Sequence, residues 1–96
     1  MVVHMVVFKF LDKNKQQNIL EIKNKLESLK KDIDTIVDLE AGIDINRSSR
    51  AYDMSLIVTF KTEDDLKQYA AHSKHLEVLE FIRSVTEQSV VVDYIK

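Results

Sequence analysis

Apolar residues recur along this chain with two periods, and the switches between them mark out its elements. From Val2 to Phe10 the run is rich in β-branched and aromatic residues and stops at Asp12-Lys13-Asn14-Lys15, which predicts a first strand. Alternation puts His4, Val6, Phe8 and Phe10 on one face and Val3, Met5, Val7 and Lys9 on the other, so both faces are expected to be covered. From about Lys15 to Lys31 the period changes: Ile19, Ile22, Leu26, Leu29 and then Ile33 recur at steps of three and four, an amphipathic helix.

The period of two returns between Ile36 and Ile45, where Val37, Leu39, Ala41, Ile43 and Ile45 alternate with Asp38, Glu40, Gly42 and Asp44. Gly42, the one glycine of the chain, marks a bulge or a close backbone approach. After a polar loop, Asn46 to Arg50, a third strand spans Tyr52 to Phe60 and forms an antiparallel hairpin with the second. Thr62-Glu63-Asp64-Asp65 has the form of a capping box and opens a helical region carrying Leu66, Tyr69 and Ala70. A break is expected near His72-Ser73, with Ser73 capping a second piece through Leu76, Leu79, Ile82 and Val85. Ser89 to Ile95 closes the chain as a fourth strand.

The order is β-α-β-β-α-β within a single domain over 1–96, the ferredoxin-like split βαβ pattern: a four-stranded antiparallel sheet with its helices on one side. The other sheet face stays open, and Val3, Met5, Val7, Ile57 and Val91 are expected on it. A second copy covers such a face most simply, because a two-fold axis needs only one self-complementary surface. The core of so short a chain is thin, which favours a stabilising partner.

Composition narrows the choice of function. Fourteen Lys and Arg against sixteen Asp and Glu give a net charge of −2, without the basic excess of a phosphate-backbone binder. Strand three also lacks the basic and aromatic signature of an RNA-recognition sheet, so no nucleic acid is expected. The absence of cysteine excludes thiolate catalysis and Cys-ligated metal, and fits a reducing, cytoplasmic setting. No stretch approaches the ~20 apolar residues of a membrane span, and the apolar opening segment reads as a strand rather than a signal peptide. Gly-rich phosphate loops and Ser-His-Asp order are missing, which leaves nucleotide hydrolysis and acyl transfer without a foothold.

The candidate chemistry lies in His4, Tyr69, His72 and His75. Imidazole titrates near neutrality and phenol donates a hydrogen bond, a pairing suited to removing a proton beside a carbonyl while stabilising the oxygen that gains charge. His75, in the first turn of the second helical piece, feels the positive end of the helix dipole, which favours its neutral form. The alternative for each is structural: His4 as a hydrogen-bonded core histidine, Tyr69 as helix packing with a polar tip. His72 and His75 lie three residues apart with His4 as a third imidazole, but no carboxylate at a diagnostic spacing joins them, and neither metal nor cofactor is expected.

Three motifs carry a family resemblance: His4-Met5-Val6-Val7-Phe8-Lys9-Phe10, Asp53-Met54-Ser55-Leu56-Ile57-Val58-Thr59-Phe60, and Tyr69-Ala70-Ala71-His72-Ser73-Lys74-His75, with Val92-Asp93-Tyr94 in support. Over essentially its whole length the chain resembles the stress-responsive α/β-barrel (Dabb) family, most specifically in the Tyr-x-x-His-x-x-His spacing. The resemblance implies a homodimer in which two sheets pair into a dimeric α+β barrel with helices outside. The family holds stress-associated proteins and a plant polyketide cyclase that works without a cofactor. By resemblance to that cyclase, catalytic roles fall on His75 as base, Tyr69 as donor or base partner and His4 as orienting group, and His4, Tyr69, His72 and His75 border a pocket between sheet and helices. Ser73 stands where the family usually has Pro. The expected function is therefore a homodimer binding a small apolar or carbonyl-bearing molecule. The alternatives are a cyclase-like lyase or oxygenase and a non-enzymatic stress or assembly protein.

Overall fold

The computed structural model describes residues 1–96 and runs β1 (Val2–Phe10), α1 (Lys15–Asp32), β2 (Asp38–Ile43), β3 (Met54–Phe60), α2 (Glu63–Ala71), α3 (Ser73–Val85) and β4 (Thr86–Ile95). The strands form one antiparallel sheet in the order β2-β3-β1-β4, the ferredoxin-like arrangement, with the second helical region divided in two.

Register decides which side chains meet. In an antiparallel ladder directly opposed residues point to the same face, so Val2, His4, Val6 and Phe8 share a face with Phe60, Val58, Leu56 and Met54. That face meets Ile19, Ile22, Leu26 and Leu29 of α1, the residues of the helical period, and apart from His4 and the partly buried Val6 the two sets form one buried cluster with Phe10, Ala41, Tyr69 and Ile82. Full burial of a Leu, Ile or Phe side chain contributes about 1.5–3 kcal/mol. Phe60, Val58 and Ile22 reach it with no measurable exposure.

The second face carries Val3, Met5 and Val7 of β1, Ile57 of β3, and Val90, Val92 and Tyr94 of β4. Val91 is not among them. It stands opposite Val6 and therefore faces the helix side, a correction to the expected open face. Strand β4 is a sheet edge whose side chains are exposed on both sides from Glu87 onward, with Val90, Val91 and Val92 at 45%, 56% and 58%.

The boundaries of three strands shift, β3 starting at Met54 rather than Tyr52. Strand β2 is confined to Asp38–Ile43: Ile36 turns into the core before pairing begins, and Ile45, 90% exposed, has left the sheet. Strand β4 begins at Thr86 rather than Ser89, and the extra length is accommodated by a register shift between Lys9 and Phe10, which face Gln88 and Thr86. Gly42 pairs with Ser55 without a bulge; a Cβ there would lie 3.3 Å from the Ser55 hydroxyl, so the glycine serves a close approach.

Thr62 caps α2 as the sequence predicts, its hydroxyl accepting from Asp65 N–H at 3.1 Å, with Glu63, Asp64 and Asp65 complementing the positive helix end. The cap of α3 is His72, not Ser73: the imidazole Nδ1 accepts from Lys74 N–H at 3.1 Å, and Ser73 is the first helical residue. No helix is long and apolar enough to cross a membrane.

Candidate functional site

Four elements converge on Tyr69. It lies on the inner face of α2 and is 1% exposed. Its ring packs against Phe60 of β3 at 5.2 Å between centroids, against His4 of β1 at 5.9 Å edge-on, and against His75 of α3 at 4.4 Å. The break at His72 makes this possible: it lets α3 start in a new direction, with His75 in its first turn facing back on Tyr69.

The Tyr69 hydroxyl is buried and has no hydrogen-bond partner. Leaving such a group unpaired costs about 1–3 kcal/mol, a reason to seek a ligand for it. Burial also pushes the phenol pKa well above its ordinary value. The group therefore stays protonated, a donor and not a base.

His75 has the complementary character. Its Nδ1 is 3.1 Å from the Ala70 carbonyl oxygen; a carbonyl can only accept, so Nδ1 carries the proton and Nε2 the lone pair. Burial lowers its pKa; the Ala70 bond opposes this, while the nearby charges of His4, Arg83 and His72 add to it. The ring is held neutral near pH 7 with a free basic nitrogen.

His4 is positioned by the ladder. Its direct partner across β1 and β4 is Asp93, and the Nδ1–H donates to the Asp93 carboxylate at 2.5 Å. Side-chain exposures of 17% for His4 and 47% for Asp93 put the pair where protein meets solvent. Asp93 fixes the orientation of the ring.

Beside this pair lies a cleft of about 450 Å³ between α2 and the β1–β4 edge. Val2, Leu66, Ala70, Tyr94 and Ile95 give it an apolar lining, and His4, Asp93, Glu63 and Lys67 its polar groups. Of the four residues singled out in the sequence, His4, Tyr69 and His75 come together as a ring stack, and His4 alone also lines the cleft. His72 stands apart as the cap of α3, its Nδ1 occupied by the Lys74 amide, and like Tyr69 and His75 it does not line this cleft. No group of three or more His, Asp and Glu side chains is assembled to hold a metal ion.

Asp93 is the residue that sequence reasoning missed. Its signal was an acidic side chain interrupting the apolar run Val90-Val91-Val92, but its partner lies 89 positions away. A second cleft, about 410 Å³ at the start of α1, is mostly polar. There Asp53 accepts from Phe10 N–H at 2.7 Å and lies 3.7 Å from the Lys15 ammonium, contacts that fasten the end of β1.

Comparison with known proteins bears on the whole chain. The family model of the stress-responsive A/B barrel domain (Dabb) matches residues 2–96. No curated protein matches the chain. Among solved structures, the chain is similar to a dimeric protein of unknown function and ferredoxin-like fold from Bacteroides fragilis, with 28% identity, a TM-score of 0.90, and 99% of this chain and 95% of that one covered. It is also similar to a dimeric ferredoxin-like protein of unknown function from Thermobifida fusca, with 20% identity, a TM-score of 0.89, and coverage of 99% and 90%. The hydroxynitrile lyase of Passiflora edulis shares the fold at 19% identity and a TM-score of 0.88, over 99% of this chain and 92% of the lyase.

Proposed function

The chain belongs to the stress-responsive A/B barrel domain family, and on that premise we propose that it acts as a homodimer whose protomers each bind a small carbonyl-bearing molecule with an apolar body. The ligand's apolar part lies along Val2, Leu66 and Ile95, and its carbonyl end lies toward His4. The observation that carries this reading is the apolar cleft bordered by His4, behind which the Tyr69 hydroxyl lies buried without a partner between two imidazoles.

The same groups supply acid–base chemistry without a cofactor. The neutral His75 accepts a proton at Nε2, the Tyr69 O–H donates to the oxygen that gains charge, and His4, held by Asp93, orients the carbonyl. A proton removed beside a carbonyl gives an enolate, the starting point for forming a carbon–carbon bond; the hydroxynitrile lyase, whose reaction differs, is one enzyme built on this fold.

The dimer half of the proposal rests on the apolar face of Met5, Val7, Ile57, Val90, Val92 and Tyr94 and on the dimeric state of the Bacteroides fragilis protein. A cysteine-free chain of this kind suits a reducing compartment such as the cytoplasm.

The test is an NMR titration of the labelled protein with a panel of small aliphatic and aromatic ketones. Binding is expected to move the signals of His4, Leu66, Asp93 and Ile95, and Tyr69→Phe is expected to weaken it about tenfold, as for a lost buried hydrogen bond. No ketone binding at these residues overturns the ligand assignment, and turnover of an identified substrate unchanged in His75→Ala overturns the catalytic one. A second reading is favoured by the near-complete burial of Tyr69: the stack is packing, the dimer face is the functional part, and replacing His4, Tyr69 and His75 together alters stability alone.

A further inference from the structure

The second helical region breaks over one residue, and the break is spanned by two imidazoles used in opposite senses. His72 alone separates α2 from α3. Its backbone N–H donates to the Tyr69 carbonyl at 3.2 Å, and its own carbonyl accepts from Leu76 N–H at 3.0 Å. The ring accepts at Nδ1 from Lys74 N–H. An amide N–H can only donate, so this bond exists only on the neutral imidazole with its proton at Nε2. The His75 bond runs the other way: Nδ1–H donates to the Ala70 carbonyl, which a protonated ring does equally well. One of the two links across the break thus requires a lone pair, and the other does not.

The first turn of α3 holds no acidic residue, and Lys74 stands in it, so α3 offers nothing there to offset a cation added at its positive end. The titratable and charged groups packed on or acting on His75 are Tyr69 on α2, His72, Arg83 on α3 and His4 on β1, which Asp93 on β4 holds. Asp93, the one anion among them, is already engaged with His4. Ser73, unlike proline, leaves φ at the first helical position unlocked. Ser, Thr and Asn, the usual helix caps, accept a hydrogen bond at any ordinary pH, whereas a histidine cap depends on acid.

We propose that the α2–α3 break is an acid-released latch on the candidate site: neutral His72 caps α3 and holds His75 against Tyr69, and protonation of His72 removes the cap and frees the first turn with His75 on it. The latch stands on the junction alone. Its consequence for ligand chemistry rests on the role proposed above for His75.

The experiment is NMR on the full chain at pH 8 and pH 5, comparing wild type, His72→Asn and His72→Ala. Amide-exchange protection of Lys74 and Leu76, corrected for intrinsic rates, is expected to fall about fivefold in the wild type on going to pH 5, the size of a lost cap. It is expected to hold in His72→Asn and to be low at both pH values in His72→Ala. Cross-relaxation between the His75 and Tyr69 rings is expected to weaken only where protection falls. Protection in His72→Ala equal to that of wild type at pH 8, or the same fall in wild type and His72→Asn, overturns the latch. Lost protection with undiminished ring contact overturns its hold on the site. The ketone titration judges the ligand reading independently of all these outcomes.

Discussion

Tyr69 and His75 pack ring against ring across a helix break, centroids 4.4 Å apart and planes tilted by 41°. A phenol that keeps its proton and an imidazole that stays neutral are thereby placed in contact, each made so by burial. Chemistry and stability pull on this pair in opposite directions, and substitutions separate the two.

Tyr69→Phe removes a buried hydroxyl that has no partner while keeping the ring packing. It is expected to stabilise the fold by about 1 kcal/mol, raising the melting temperature by roughly 4–8 °C. Calorimetry showing a loss of stability would mean that the hydroxyl is satisfied in solution.

The depressed pKa of His75 makes stability depend on pH with a definite sign. The folded state binds this proton less readily than the unfolded chain, whose imidazole titrates near 6.5, so the contribution is complete above that value. It is lost as pH falls from about 6.5 through the lower folded value, and the loss ends below it. Urea unfolding of wild type and His75→Gln between pH 8 and 4 is expected to show a shallower fall for the variant. Parallel curves would assign the acid sensitivity elsewhere.

Val7→Lys and Val92→Lys each place a charge on the open sheet face, while Val91→Lys places one on the helix side of β4. Sedimentation equilibrium is expected to show dimer dissociation strengthened at least tenfold by the first two and little changed by the third, since a buried unpaired charge costs several kcal/mol. A wild-type monomer at every concentration, or dissociation by Val91→Lys alone, would contradict the assignment of this face.

Thr62→Ala removes the hydroxyl that receives Asp65 N–H at the start of α2. The expected cost is about 1 kcal/mol by chemical denaturation. An unchanged midpoint would show that the acidic first turn holds the helix end without the cap.

What the sequence made legible was whatever burial writes as a period. The steps from Ile19 to Leu29 and the alternation through Met54, Leu56, Val58 and Phe60 each describe one face against the core, and both lie where they were expected. Val90-Val91-Val92 has no alternation, so its facing is set only by register against Val7, Val6 and Met5, a relation that a single strand does not contain. Thr86-Glu87-Gln88 joins β4 through backbone pairing, to which polar side chains are indifferent. The cap went to His72 because an imidazole lone pair serves where a hydroxyl was expected. His4, Tyr69 and His75 were visible as candidates through the family's spacing; the hydrogen bond of His4 with Asp93 was not, because only the β1–β4 ladder brings the two together.

Strand β4 has a further consequence. A ten-residue edge with a free row of backbone donors and acceptors and three successive exposed valines is a template for any extended chain that meets it. On the proposed homodimer, a protomer without its partner is prone to aggregate, and its fate after synthesis is a race between finding a second folded copy and capturing a misfolded one. A dimer-breaking substitution that leaves β4 bare favours the wrong winner. A lysine on β4 itself, as in Val92→Lys, is expected to break the proposed dimer and guard the edge at once, whereas Val7→Lys is expected to break it and leave the edge unguarded.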